Sequence, residues 1–385
     1  MSIGRVLGPL VALLFVVAFG CTGPSATPTA APAKPGATSA PATAPTSAPT
    51  AAQSQPTATQ PASAAQPQAT SVPGAAPTSG GAAAKPEAGG QLVKVKAAYP
   101  QPSAVQTPVY VAKEEGFFAS YGLDVELNRV GGPAQAAALI SGELQFGNMG
   151  ANEVASAVLN GGPLVMIATF SDLPVFSLYA DKKYTSVQEL SGQSIGVTQA
   201  GSSTDAAAHI FLKHFDMTDR VHIVASGGTI PGVLAAMESG VVAGGILSPP
   251  TTQKAEEEGY AELVNGVKLG VPMNHSGVSV NKNFLKDHPD QVKAFLTAFL
   301  DGWKFVADPA NKATVVKVIA KYTETDDRLG AVGYEAMVPV WSSVKVPKVT
   351  REAVANLLDV SGVANAQSAS PEQFFDNSLI ESLAG

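Results

Sequence analysis

The 385-residue chain carries 24 Lys and Arg against 31 Asp and Glu, and removing Arg5, Lys34, Lys85 and Glu87 leaves residues 91–385 with 21 basic and 30 acidic side chains. That acidic balance excludes a groove for nucleic acid. A single cysteine, Cys21, excludes a disulfide framework and a structural zinc site built on thiolates, while about 295 residues can bury a large core without either.

Met1–Arg5 supplies a short positive start, Val6–Phe19 is a 14-residue apolar run, and Gly20 precedes Cys21. The run falls short of the about 20 apolar residues that a membrane span requires. A small residue before a lone cysteine at the end of such a run resembles the bacterial lipoprotein signal, with Ala18 and Phe19 departing from its usual pattern. The resemblance implies that residues 1–20 are a signal peptide and that Cys21 is lipidated. Residues 22–90 hold 13 prolines and 22 alanines, three charged side chains and no Leu, Ile, Met, Phe, Tyr or Trp. Such a composition cannot offset the entropy of ordering, so residues 21–91 are expected to be the lipidated cysteine and a disordered tether, reaching roughly 45 Å as a flexible coil.

From Leu92 onward short β-branched runs alternate with helical stretches, the pattern of an α/β protein. Strands are predicted at 93–99, 123–130, 144–150 and 164–170. Pro108 opens a helix that runs to the turn at Gly122, and further helices follow Pro133 and begin near Asn152. The theme repeats with strands at 194–199, 221–226 and 242–248 and helices at 203–215, 231–239 and 251–258. A strand at 276–284 precedes a stretch that is almost entirely helical. There, Val292, Phe295, Leu296, Phe299, Trp303 and Val306 form one apolar stripe, read as core. The run Glu256–Glu258 is read as a solvated helix face. The strand–helix units fall into two groups joined near 175–180 and 273–280. A chain that crosses at both joins makes two α/β lobes, residues 92–180 with 275–385 and residues 181–274, with a cleft outside the strand ends.

Five blocks, at 108–127, 131–150, 190–205, 239–260 and 284–302, together resemble the substrate-binding proteins of bacterial ABC importers in the nitrate, sulfonate, taurine and thiamine-precursor branch. The resemblance runs in order through about 92–325. It implies a type II periplasmic-binding-protein fold, two α/β lobes joined by two hinge strands, and a small-molecule solute captured by hinge closure. It also implies delivery to separate ABC permease and ATPase chains by a monomer held outside the cytoplasm in the cell envelope. No cofactor and no catalytic residue is expected. Relatives of this fold include a pyrimidine synthase and an aryl-sulfinate desulfinase, but both rely on cysteine, which is lacking beyond Cys21. A sensor subunit that presents a ligand to a membrane receptor has the same sequence features.

The sharpest chemical feature is Gly201-Ser202-Ser203-Thr204-Asp205, between a strand and a helix, where hydroxyls and free amides meet the positive end of a helix dipole. The same residues also make an ordinary N-cap. Tyr99 and Gln106, with Gln101 and Ser103, follow the first strand; Asn148, Gly150 and Asn152 follow another; Ser248 ends a third. These residues are the candidate solute contacts. His209 stands where many of the resembled proteins carry Arg. His209 and His214 are five apart, which is poor spacing for a helical metal pair, so no metal site is expected. Only Arg129, Arg220, Arg328 and Arg351 occur beyond the signal. That scarcity favours a neutral or weakly charged heteroaromatic or amide-bearing solute over a small inorganic anion.

Overall fold

The computed structural model describes residues 91–384. The expected signal peptide, lipidated Cys21 and tether lie outside the described residues. Ten strands are arranged in two groups: β1 (Val93–Tyr99), β2 (Leu123–Arg129), β3 (Gly147–Met149) and β4 (Leu164–Ser171), then β5 (Ser177–Asp181), β6 (Ser194–Val197), β7 (His222–Ala225), β8 (Gly244–Leu247), β9 (Tyr260–Asn265) and β10 (Ser276–Asn281). In the first lobe β2 pairs with β1 in parallel, a parallel bridge from Ala97 to Phe146 joins β1 to the segment leading into β3, and β3–β10–β4 completes the sheet. In the second lobe the order is β7-β6-β8-β5-β9. The two lobes thus share one plan. Each contains four strands in chain order and a fifth, antiparallel strand that has crossed from the other lobe: β10 in the first and β5 in the second.

Local chemistry explains most of the elements. Pro108 lies in the first turn of the helix Thr107–Glu114, and Gly116 at φ 73° ends it, so the predicted single helix is two, the second being Phe117–Ser120. Gly142 at φ 80° closes the helix Gly132–Ser141. β4 is buried along its whole length because both faces are covered. The stripe on the helix Pro289–Ala307 is core, with Val292, Phe295, Leu296, Phe299, Trp303 and Val306 all buried.

Other expectations need correction. The strand predicted at 276–284 stops at Asn281, whose side chain accepts from the Asn283 amide and caps a helix over Lys282–Asp287. The strand β9 follows directly on Gly259, and its exposed and half-buried residues lack the alternation that marks an edge strand in sequence. Beyond Ser343, residues 344–350 and much of 361–377 are irregular. No helix among the described residues is long and apolar enough to cross a membrane.

The crossings are residues 172–176 and 266–275, and they run side by side. The Met273 and His275 amides donate to the carbonyls of Asp172 and Ser171, each at 2.9 Å. His275 stacks on Phe176 at 3.9 Å and its Nδ1 accepts from the Val175 amide at 3.2 Å. Burial pushes the His275 pKa down to about 3, so the ring is neutral, as that acceptor role requires. Asn274 donates to Thr169 and Asp172, and its Oδ1 accepts the Ala151 amide at 3.1 Å, tying the second crossing to the first turn of the helix Ala151–Leu159.

Candidate functional site

The carboxyl ends of β1, β2 and β3 in one lobe face those of β6 and β8 in the other, and the candidate residues lie on these ends. Several of them meet across the cleft. The Asn152 amide group donates to the Gly201 carbonyl at 2.8 Å. Ser103 and Ser248 bring their hydroxyl oxygens to 3.3 Å, and the Ala104 amide donates to the Pro249 carbonyl. The lobes therefore touch in this structure.

Ser202 caps the helix Ser203–His214 and donates to the Gln199 carbonyl at 2.7 Å. Thr204 is fully buried, accepts the Thr198 amide at 3.0 Å and shares bonds with the hydroxyls of Thr198 and Ser202. Thr204 is thus occupied in holding the end of β6. Gly201, at φ 71°, makes the turn before the cap, and its amide is taken by Asp205.

On the first lobe Tyr99 joins an aromatic group, its ring 5.2 Å from Tyr110 and 6.0 Å from Tyr322, which itself stacks on Tyr110 at 4.1 Å. By the alternation of the sheet, Asn148 lies on the same face as Tyr99, two residues beyond the Ala97–Phe146 bridge. Gln106 is buried beside them in a short turn of 3-10 helix. The Gln106 Oε1, the Tyr110 hydroxyl and both polar atoms of the Asn148 side-chain amide are buried without a hydrogen-bond partner. Unmet groups of this kind cost free energy and are rare in native interiors; Asn152 Oδ1, Ser226 Oγ, Ser276 Oγ, Ser279 Oγ and Trp341 Nε1 are further ones among the described residues.

Glu153 carries no sequence signal beyond an acid in the first turn of a helix, and it sits at the centre of the contact. Its Oε1 accepts the Ser203 amide at 3.1 Å and its carboxylate accepts the Ser203 hydroxyl at 3.2 and 3.3 Å. Burial pushes its pKa up to about 8, against the lowering effect of those hydrogen bonds. Glycines make the room. A Cβ on Gly132 would stand 2.4 Å from Glu153 Oε1, and one on Gly150 would stand 2.5 Å from Ser203 Oγ and 2.8 Å from Glu153 Oε2. The arginines lie elsewhere: Arg129 pairs with Glu324, Arg328 with Glu257 and Arg351 with Glu372, while Arg220 is exposed. His209 lies 3.8 Å from Asp205. Among the described residues no cluster of three or more His, Cys, Asp or Glu could hold a metal ion.

Lobes of one plan, two side-by-side crossings and polar strand ends that face each other define a type II periplasmic-binding-protein fold. The structure of the periplasmic aliphatic sulphonate binding protein from Escherichia coli shares it, with a TM-score of 0.57 at 15% identity over 75% of this chain and 91% of that one. Residues 103–313 match the family described as NMT1/THI5 like, and the chain belongs to that family. It is similar to the taurine-binding periplasmic protein of Escherichia coli (strain K12), at 30% identity over 227 residues, which cover 57% of this chain and 68% of that protein. It is also similar to the formylaminopyrimidine-binding protein of Halalkalibacterium halodurans, at 24% identity over 226 residues, which cover 55% and 66%.

Proposed function

We propose that the protein is the extracytoplasmic solute-binding component of an ABC importer, tethered by lipid on Cys21, which captures a small organic solute between its lobes and passes it to a separate permease. The observation that carries this reading is the set of unpartnered polar atoms on Gln106, Tyr110, Asn148 and Asn152, in a protein whose lobes meet beside two hinge crossings. Family membership supports it, and the named ligands of the two similar proteins set its range: small solutes that carry an amino group, a sulfonate or a pyrimidine ring. The moving bodies in this reading differ from the expected 92–180 with 275–385 and 181–274, because β5 pairs with β8 and β9: they are residues 92–171 with 276–384 and residues 177–265, joined by the two crossings. A tether raises the local concentration of loaded protein at the transporter without any new contact. The reading assigns no covalent step to any residue.

Small-angle scattering tests it. The solute-free protein samples an open form, and a solute that binds the closed form better shrinks the radius of gyration and raises the melting temperature together. A tight ligand that stabilises the fold without compaction would count against hinge closure. Loss of the chain from the membrane fraction on Cys21→Ser tests the anchor separately.

A further inference from the structure

The carboxyl of Glu153 is buried where the lobes meet, 4% exposed, and it accepts hydrogen bonds from Ser203 and from nearby backbone amides. Among the described residues no lysine, arginine or histidine forms an ion pair with it. A buried carboxylate with no counter-charge is expensive unless something supplies one. The elevated pKa reports that cost.

The surroundings are short of donors. A Cβ on Gly150 would stand 2.6 Å from Asn152 Oδ1 as well as close to Glu153 Oε2, so the two oxygens converge on one point, and Asn152 Oδ1 is itself a buried acceptor without a donor. Gln106 Oε1 and Asn148 Oδ1 are further buried acceptors without donors, on residues 1% and 4% exposed in the 3-10 turn after β1 and in β3. Against these acceptors, the Asn148 amide nitrogen is a donor without an acceptor, and unmet hydroxyls can turn either way. A groove of about 290 Å³ opens beside Asn152 and Gly201, with Asp205 and His209 on its wall and no lysine or arginine; Glu153 is not on that wall but follows Asn152 in the same helical turn.

A small anion seated at the start of the Ser203–His214 helix would need the Ser203 amide and hydroxyl, which Glu153 already holds, and would have to displace its carboxyl from both. An ammonium, amidinium or amino-heterocycle reverses each of these effects. We propose that Glu153 is a solute-recognition residue of the cleft, selecting a small solute that presents a cationic or hydrogen-bond-donating nitrogen and rejecting one that presents a sulfonate, carboxylate or nitrate at this point. The assignment rests on the solute-binding reading above. Gly132 and Gly150 belong to the same device, since any side chain there would displace the carboxyl.

Isothermal titration of the purified protein and of Glu153→Gln with ethanolamine, 4-aminopyrimidine, ethanesulfonate and nitrate tests the assignment. The unaltered protein is expected to bind at least one nitrogen probe and neither anion. In Glu153→Gln that probe weakens about tenfold or more and ethanesulfonate gains measurable binding. Ethanesulfonate or nitrate binding the unaltered protein more tightly than both nitrogen probes would overturn the assignment while upholding solute binding. So would equal affinity of a nitrogen probe for both proteins. Silence of both proteins toward all four probes would overturn the solute-binding reading and this assignment with it. The ranking of probes on the unaltered protein holds whether or not the variant folds.

Discussion

A carboxyl that titrates near pH 8 in the folded protein and near 4.3 in an unfolded chain couples stability to pH. Between those values the native state binds one more proton than the unfolded state through Glu153. Its contribution is therefore complete in acid and is lost as pH rises, at up to about 1.4 kcal/mol per pH unit, levelling off above its folded pKa. Glu153→Gln keeps an acceptor for the Ser203 amide and removes the titration. Urea melts should find the variant more stable than the parent at pH 8, with the gap closing at pH 5. A gap that is constant with pH would show that Glu153 ionises freely. Nothing in the order of residues around Glu153 distinguishes it from any acid in a first helical turn, because its partner is fifty residues away on the other lobe. Ser202 and Thr204 were legible as residues of a helix start, but which hydroxyl faces the opposite lobe was not. Thr204 turns inward to Thr198, and Ser203 turns outward to Glu153.

Elements meet through particular residues as much as through apolar stripes. The helix Pro289–Ala307 crosses Thr107–Glu114 at Gly302, where a Cβ would stand 2.2 Å from the Pro108 carbonyl oxygen. Since the obstacle is backbone, Gly302→Val must part the two helices. A loss of about 1–3 kcal/mol is expected in denaturant melts, the range for overpacking a tight contact. Retention of full stability would mean that the helices can slide. The stripe on this helix was readable because its period matches 3.6 residues per turn, and the glycine within it was not, because close approach depends on the neighbour. The same limit explains β9, which no predicted strand covers. Its pairing with β5 comes from a strand about eighty residues earlier that has crossed from the other lobe.

For the molecule as a whole, opening requires that the contacts between strand ends release while the crossings hold. Ser103 and Ser248 lie on opposite sides of that contact. A Ser103→Cys/Ser248→Cys protein, with thiols within reach of a disulfide, should lock the lobes when oxidised. Solute exchange should then stop and return on reduction, as followed by dilution of labelled solute. Unchanged exchange in the oxidised protein would place the moving boundary elsewhere. The helix Arg351–Val360 adds a further constraint, since it packs on both the Ala151–Leu159 and Ser203–His214 helices, and Asp359 pairs with Lys213. Any opening has to slide or carry one side of that packing.

Periodicity, prolines and glycines are local, and they were enough to predict an α/β chain with two crossings near 175–180 and 273–280 and a polar strand–helix turn at Gly201–Asp205. The scarcity of arginine beyond Arg5 is likewise read directly from the sequence. Which polar groups lack partners, which serine meets the other lobe, and the burial of Glu153 against Ser203 depend on pairs far apart in the chain. Hydrogen bonding and desolvation act through space, so a buried carboxylate is recognised only by what surrounds it.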